Sequence, residues 1–107
     1  MYTAFLRMAH SSPGLRRCEF EVFGKVQGVF FRKYARQFAK DVGLVGWVQN
    51  TESGTVRGTC EGNADSVDKF KKWLSYTGSP KSRIDRCEIR VDTPVSRTEY
   101  SDFVIRR

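Results

Sequence analysis

Between Gly24 and Gly43 the chain reads GKVQGVFFRKYARQFAKDVG, with Gly24, Gln27, Gly28 and Arg32 ahead of a helical pattern. The stretch contains no Cys, His or Ser, and its one carboxylate, Asp41, lies near the far end. Such a set offers no nucleophile and no general acid, but it is rich in donors. Where a loop enters a helix, unpaired backbone N–H groups and the positive dipole end favour an anion. Gly24 and Gly28 permit backbone conformations that other residues resist. Arg32 falls in the first helical turn, where its planar fork suits phosphate oxygens. The group held is read as a phosphoryl group. The competing reading is a tight turn with Arg32 on the surface, and the loop alone does not choose between them.

Little else in the chain offers chemistry. Three cysteines, Cys18, Cys60 and Cys87, form no C-x-x-C pair, which argues against a disulfide framework or a zinc site. Each sits in an alternating apolar pattern and reads as a buried free thiol, suited to a reducing, cytoplasmic compartment. A cysteine phosphatase needs an arginine six residues after its cysteine, and positions 24, 66 and 93 are Gly, Ser and Thr. The single histidine, His10, lies in an N-terminal arm, 1–17, that holds three arginines and no acid. Its short length and Pro13-Gly14 favour a loosely docked arm over a targeting peptide. No apolar run reaches the roughly 18 residues of a membrane helix. The net charge is +7, from 19 Lys+Arg against 12 Asp+Glu. Such a charge attracts anions, from phosphorylated metabolites to nucleic acid, although single basic clusters mostly mark solvated faces.

The elements that must position the loop follow from periodicity. CEFEVFG, from Cys18 to Gly24, alternates and predicts a half-buried strand. Phe30 to Val42 predicts a helix with Phe31, Tyr34, Ala35, Phe38 and Val42 on its apolar stripe and Gly43 as its stop. Leu44 to Asn50 and Thr55 to Glu61 predict two strands joined as a hairpin. Asn63 is placed to cap a second helix with the stripe Val67, Phe70, Trp73 and Leu74, ended by Gly78. Arg83 to Val91 alternates again, with Ile84 out of step, and DFVIRR closes the chain as a short strand. The 107 residues suit one domain. The order βαββαβ, plus the short C-terminal strand, predicts an α+β, ferredoxin-like split βαβ sandwich with two helices on one face of a mostly antiparallel sheet. The first two strands then run parallel around the third, and their C-terminal ends lie on one rim about 10 Å apart. The loop after Gly24 and the side chain of Asn50 should therefore meet.

At these residues the sequence resembles the acylphosphatase family. VFGKVQGVFFR (Val22 to Arg32) resembles that family's first signature, and GWVQNTESGTVRGTCEG (Gly46 to Gly62) resembles its second. GSPKSRIDR and EYSDF resemble further family segments, so the likeness runs from Cys18 to Arg107. It implies a domain over 18–107 that hydrolyses acyl phosphates to carboxylate and phosphate, as a monomer, with no cofactor and no metal. Arg32 matches the arginine that binds the substrate phosphate. The backbone amides of Gln27, Gly28, Val29, Phe30 and Phe31 match the phosphate cradle. Asn50 matches the residue that positions the attacking water. Inorganic phosphate is then a competitive product. Two departures stand out: a longer N-terminal arm, and Arg106-Arg107 where an aromatic last residue is expected. Neither is expected to touch the site.

The chemistry agrees with this independently of the likeness. A carboxylate leaving group has a conjugate acid of pKa about 4 and needs no general acid. The transition state of phosphoryl transfer is loose, so position and charge carry most of the catalysis. Two other classes share the features: an RNA-binding module on the same fold, and a non-catalytic phosphate sensor using the same cradle. RNA-recognition domains display aromatics on a central strand, and TVRGTCE has none, so nucleic acid is not the expected partner. A pure phosphate binder has no use for an oriented water, so Asn50 separates sensor from enzyme.

Overall fold

Cys18, Phe20 and Val22 do alternate with Glu19 and Glu21 in a strand, but that strand is longer than the pattern marks. A computed structural model describes residues 14–107, and His10 lies outside the described residues. The first strand, β1, spans Leu15–Lys25. Leu15, Arg16 and Arg17, assigned to the arm on sequence grounds, pair with both β3 (Val56–Asn63) and β4 (Arg83–Val95). Charge pairing explains the extension. Arg16 Nε lies 2.8 Å from Asp92 Oδ1, and Arg17 Nη2 lies 2.7 Å from Glu61 Oε2.

After β1 come helix α1 (Phe31–Asp41), strand β2 (Val45–Asn50) and β3. Helix α2 (Ala64–Lys72) then runs into a single π-helical turn, Trp73–Thr77, followed by β4 and finally β5 (Phe103–Arg106). The sheet order is β4-β1-β3-β2-β5. All pairings are antiparallel except that of β2 with β5. Both helices cover one face of this open sheet, the ferredoxin-like arrangement. Since β1 and β2 each run antiparallel to β3, their C-terminal ends share a rim.

The core fills the space between helices and sheet. Phe70 meets Phe20 edge-on at 5.6 Å and Phe103 edge-on at 5.8 Å, while Phe31 packs on Trp73 at 5.2 Å. Tyr34, assigned to the apolar stripe of α1, is exposed, and Ala39 is buried in that stripe instead. Asn63 occupies the N-cap of α2, yet its side chain makes no capping hydrogen bond. Cys18 and Cys60 are buried opposite each other on β1 and β3; Cys87 is only half-buried. The broken step at Ile84 is a β-bulge: Phe23 pairs with Arg86 and Gly24 with Ile84, so Asp85 is extra. Gly24 sits in that bulge at φ 134°, where a Cβ would lie 2.1 Å from the Arg83 carbonyl oxygen.

The uncovered sheet face does carry aromatics, on the strands that flank β3. Each is covered by the chain's own guanidinium groups. Arg106 stacks on Trp47 at 4.2 Å, and Arg86 on Phe23 at 3.8 Å. The central strand β3 adds none. Among the described residues, neither ring is left as a bare stacking platform.

Glu61 ties the β4–β5 connection to the sheet. It is fully buried, ion-paired with Arg17, and accepts hydrogen bonds from the backbone N–H of Glu99 at 2.7 Å and of Tyr100 at 3.3 Å. Removing one partner of a buried pair strands the other. Glu61→Ala is expected to cost about 3 kcal/mol. Glu61→Gln, which can still accept from both N–H groups, should cost about 1–2 kcal/mol. Urea unfolding midpoints check this, and equal midpoints for wild type and Glu61→Ala would show that the connection is held some other way.

Candidate active site

The loop 26–30 leaves β1 at the shared rim and turns into α1. Gly28 has φ 76°, in the left-handed region where a side chain is strained. Phe30, the N-cap of α1, is also left-handed, at φ 60° and ψ 26°, and the residue is 72% exposed. For a bulky residue this conformation costs about 1–2 kcal/mol. Neither core burial nor a side-chain cap repays it. A left-handed residue followed by right-handed helix turns successive N–H groups to one side, which forms a concave anion nest. Among the described residues, the N–H groups of Gln27, Gly28, Val29, Phe30 and Phe31 donate to no acceptor. The first backbone bond of the helix runs from Tyr34 N–H to the Phe30 carbonyl at 3.1 Å.

One cleft of about 440 Å³ opens at this point, lined by Gly28, Phe30, Phe31, Arg32 and Asn50 among others. The structure thus brings together residues that lie on two signatures. Gln27 and Val29 flank the cleft: Val29 turns into the core, and the Gln27 side chain crosses to the β2–β3 turn. Among the described residues Arg32 makes a single long hydrogen bond, from Nη1 to the Arg106 carbonyl at 3.5 Å, and most of its donors have no other partner there. Asn50 ends β2 opposite Val56. Its Oδ1 is buried and has no hydrogen-bond partner among the described residues. Buried polar atoms nearly always have partners, so an orphaned acceptor beside an anion nest marks a place for a donor.

A network the sequence reading missed holds the two halves together. Gln27 Nε2 donates to the carbonyls of Thr51 and Thr55, each at 2.9 Å. The hydroxyls of Thr51 and Thr55 lie 2.6 Å apart, and the Thr55 hydroxyl donates to Glu21 Oε2 at 2.6 Å. Arg90 Nη2 donates to Glu21 Oε1 at 2.6 Å. The Thr55 hydroxyl, then Arg90, hold the Glu21 carboxyl below its usual range. One glutamine therefore locks the cradle loop to the turn that follows Asn50. The only hint in the sequence is the Thr-x-x-x-Thr spacing around the turn, a pattern of side chains that bond nearby backbone. A second omission is the C-terminus. Arg107 lines the cleft and the Arg106 carbonyl accepts from Arg32, so the departure at the chain end does reach the site. Parallel pairing of β5 with β2, which brings Gln49 opposite Arg106, is what carries it there.

Among the described residues no three His, Cys, Asp or Glu side chains are grouped to hold a metal ion, and no helix is long and apolar enough to cross a membrane. Fold and cleft together define a small α+β domain that presents an anion nest, an arginine and an amide on one rim. Residues 18–105 match the acylphosphatase family, and the chain belongs to it. The chain is 51% identical to acylphosphatase-2 of Mus musculus over 100 residues, 94% of each chain. Its fold matches an acylphosphatase from Coxiella burnetii with a TM-score of 0.79 at 34% identity, over 87% of this chain and 94% of that one. The Bacillus subtilis acylphosphatase superposes with a TM-score of 0.78 at 28% identity, over 87% and 99%. The chain is accordingly a hydrolase of the acyl-phosphate class.

Proposed function

We propose that the chain hydrolyses acyl phosphates by direct attack of a water that Asn50 orients on a phosphoryl group held by Arg32 and the amides of Gln27 to Phe31. The observation that carries the reading is the orphaned Asn50 Oδ1, buried in the cleft that Arg32 also lines. As an acceptor it takes one hydrogen of a water and so turns a lone pair toward phosphorus. The P–O bond to water forms as the P–O bond to the acyl oxygen breaks. The bond pair leaves on the carboxylate, which needs no proton. The water's proton passes to a phosphoryl oxygen of the substrate itself. N–H groups already aimed at the phosphoryl oxygens stabilise the transition state without reorganising. The reading includes a monomeric enzyme in a reducing, cytoplasmic compartment, which suits the free thiols.

A substrate panel tests the reaction class. Acetyl or benzoyl phosphate should turn over readily. An alkyl phosphate leaves as an alcohol and needs a proton that this site has no group to supply. It should be hydrolysed at least about a thousandfold more slowly, the scale of a missing acid together with a poorer leaving group. It should still compete for the cradle, as should inorganic phosphate. EDTA should leave acyl phosphate turnover unchanged. Comparable rates on both ester classes, or loss of activity on chelation, would point to an acid or a metal that this reading lacks.

A further inference from the structure

Glu21 stands on β1 between the buried Phe20 and Val22, on the uncovered face of the sheet, and is not among the residues that line the cleft. Its side chain is 19% exposed, and each carboxyl oxygen has its own partner. Oε1 accepts from Arg90 Nη2 at 2.6 Å, and the same nitrogen donates to Glu88 Oε1 at 2.8 Å. Arg90 is the extra residue of a second β-bulge: Glu19 pairs with Val91 and Phe20 with Ile89, so the register passes Arg90 by. Oε2 accepts from the Thr55 hydroxyl at 2.6 Å.

The carboxylate sets the direction of the bonds beyond it. It accepts only, so the single hydroxyl hydrogen of Thr55 is committed to Glu21. The hydroxyls of Thr51 and Thr55 lie 2.6 Å apart, and of the two only Thr51 has a hydrogen left to give. Thr51 Oγ1 then keeps its lone pairs for the backbone N–H groups of Ser53 and Thr55, both at 3.2 Å. The turn ordered in this way starts at the residue after Asn50. Its Thr51 and Thr55 carbonyls are the two that Gln27 holds from the cradle loop.

Resting on the proposed function, we infer that Glu21 is a positioning residue for the hydrolysis: through Thr55 and Thr51 it fixes the turn that carries the Asn50 amide beside the nest. Glu21→Gln keeps the shape of the side chain and reverses the chain of bonds. The amide turns its oxygen to the Arg90 guanidinium and its NH2 to Thr55, whose hydroxyl hydrogen then points to Thr51. Thr51 Oγ1 is left with three donors for two lone pairs, so the turn loses a bond.

A double-mutant cycle separates positioning from stability. The kcat for acetyl phosphate is measured in Glu21→Gln, Thr55→Val and Thr55→Ser, each alone and combined with Asn50→Ala. Glu61→Gln serves as a control that weakens the fold outside this chain of bonds. With Asn50 present, Glu21→Gln and Thr55→Val should each lower kcat about tenfold, the scale of one hydrogen bond. The inhibition constant of phosphate should change by less than about threefold. Thr55→Ser keeps the hydroxyl and should stay within about threefold of the wild-type kcat, as should Glu61→Gln. With Asn50→Ala there is no amide to position, and Glu21→Gln and Thr55→Val should lower kcat by no more than about twofold further. A wild-type kcat in Glu21→Gln and Thr55→Val overturns the inference. So does an equal tenfold loss with and without Asn50, or an equal loss in Glu61→Gln, since lost stability then explains the effect. Asn50→Ala alone reports on the proposed function. If it leaves kcat unchanged, the oriented water falls and the inference with it; if it lowers kcat while the other changes act independently of it, only the inference falls.

Discussion

Arg32→Ala is expected to lower kcat/KM for acetyl phosphate by about a thousandfold, roughly 4 kcal/mol of transition-state stabilisation, the scale seen when an arginine is removed from a phosphoryl-transfer site. The structure gives the reason for so large a value. Among the described residues Arg32 is tied down only by the long bond to the Arg106 carbonyl, so its donors are available to the phosphoryl oxygens. It also lies in the first turn of α1, where the helix dipole adds to its charge. Inhibition by inorganic phosphate should weaken in parallel, because the same fork binds the product. Arg32→Lys should recover no more than about tenfold of the lost activity, since a point charge lacks two parallel donors. Full activity in Arg32→Lys would remove the bidentate clamp from the mechanism. The fold should be unaffected, as among the described residues the side chain carries no ion pair, and it is not part of the core.

Asn50→Ala separates turnover from binding. kcat is expected to fall by about a hundredfold or more, the cost of losing one aligned polar group in a transition state. The inhibition constant of phosphate should change by less than about threefold, because the amide is assigned to the water rather than to the anion. Stability offers a second and independent readout. Asn50 Oδ1 has no protein hydrogen-bond partner among the described residues, so no such contact is lost with the amide. Asn50→Ala should therefore unfold within about 1 kcal/mol of the wild type, in contrast to Glu61→Ala. If phosphate affinity collapses in a variant whose urea midpoint is intact, Asn50 is a ligand of the phosphate and the assignment of the water fails.

How far the sequence alone reached depended on whether the information was local. Alternation in β1 and the 3.6-residue stripe of α2 are properties of neighbouring residues, so strand and helix identities, their order and the sandwich that follows from them were legible. So was the pairing of the cradle with Asn50, because the parallel course of β1 and β2 follows from the strand order. Boundaries were less so. Leu15 to Arg17 read as an arm because the carboxylates that hold Arg16 and Arg17, Asp92 and Glu61, lie far along the chain. Tyr34 fits the helical stripe by spacing, yet it stands exposed, since only the packed neighbours decide how wide a stripe is covered. The donor-rich loop itself was readable as composition; its left-handed Phe30, a bulky residue where glycine is the easy choice, was not.

The sequence by itself determined the element order, the chemistry of the donors and the two segments that had to converge. Tertiary structure alone decided what surrounds them. The clamp from Gln27 to Thr51 and Thr55 joins residues whose separation along the chain carries no pattern, and a glutamine amide advertises no partner. The cleft's lining by Arg36 and Arg107 has the same origin. Arg36 comes from a helix and Arg107 from the last strand, and only the parallel docking of β5 against β2 puts them in one cleft. Side-chain type and spacing are fixed by covalent order, but contact across a sheet edge depends on which strand docks there and in what register, because a slip of one residue moves every side chain to the other face.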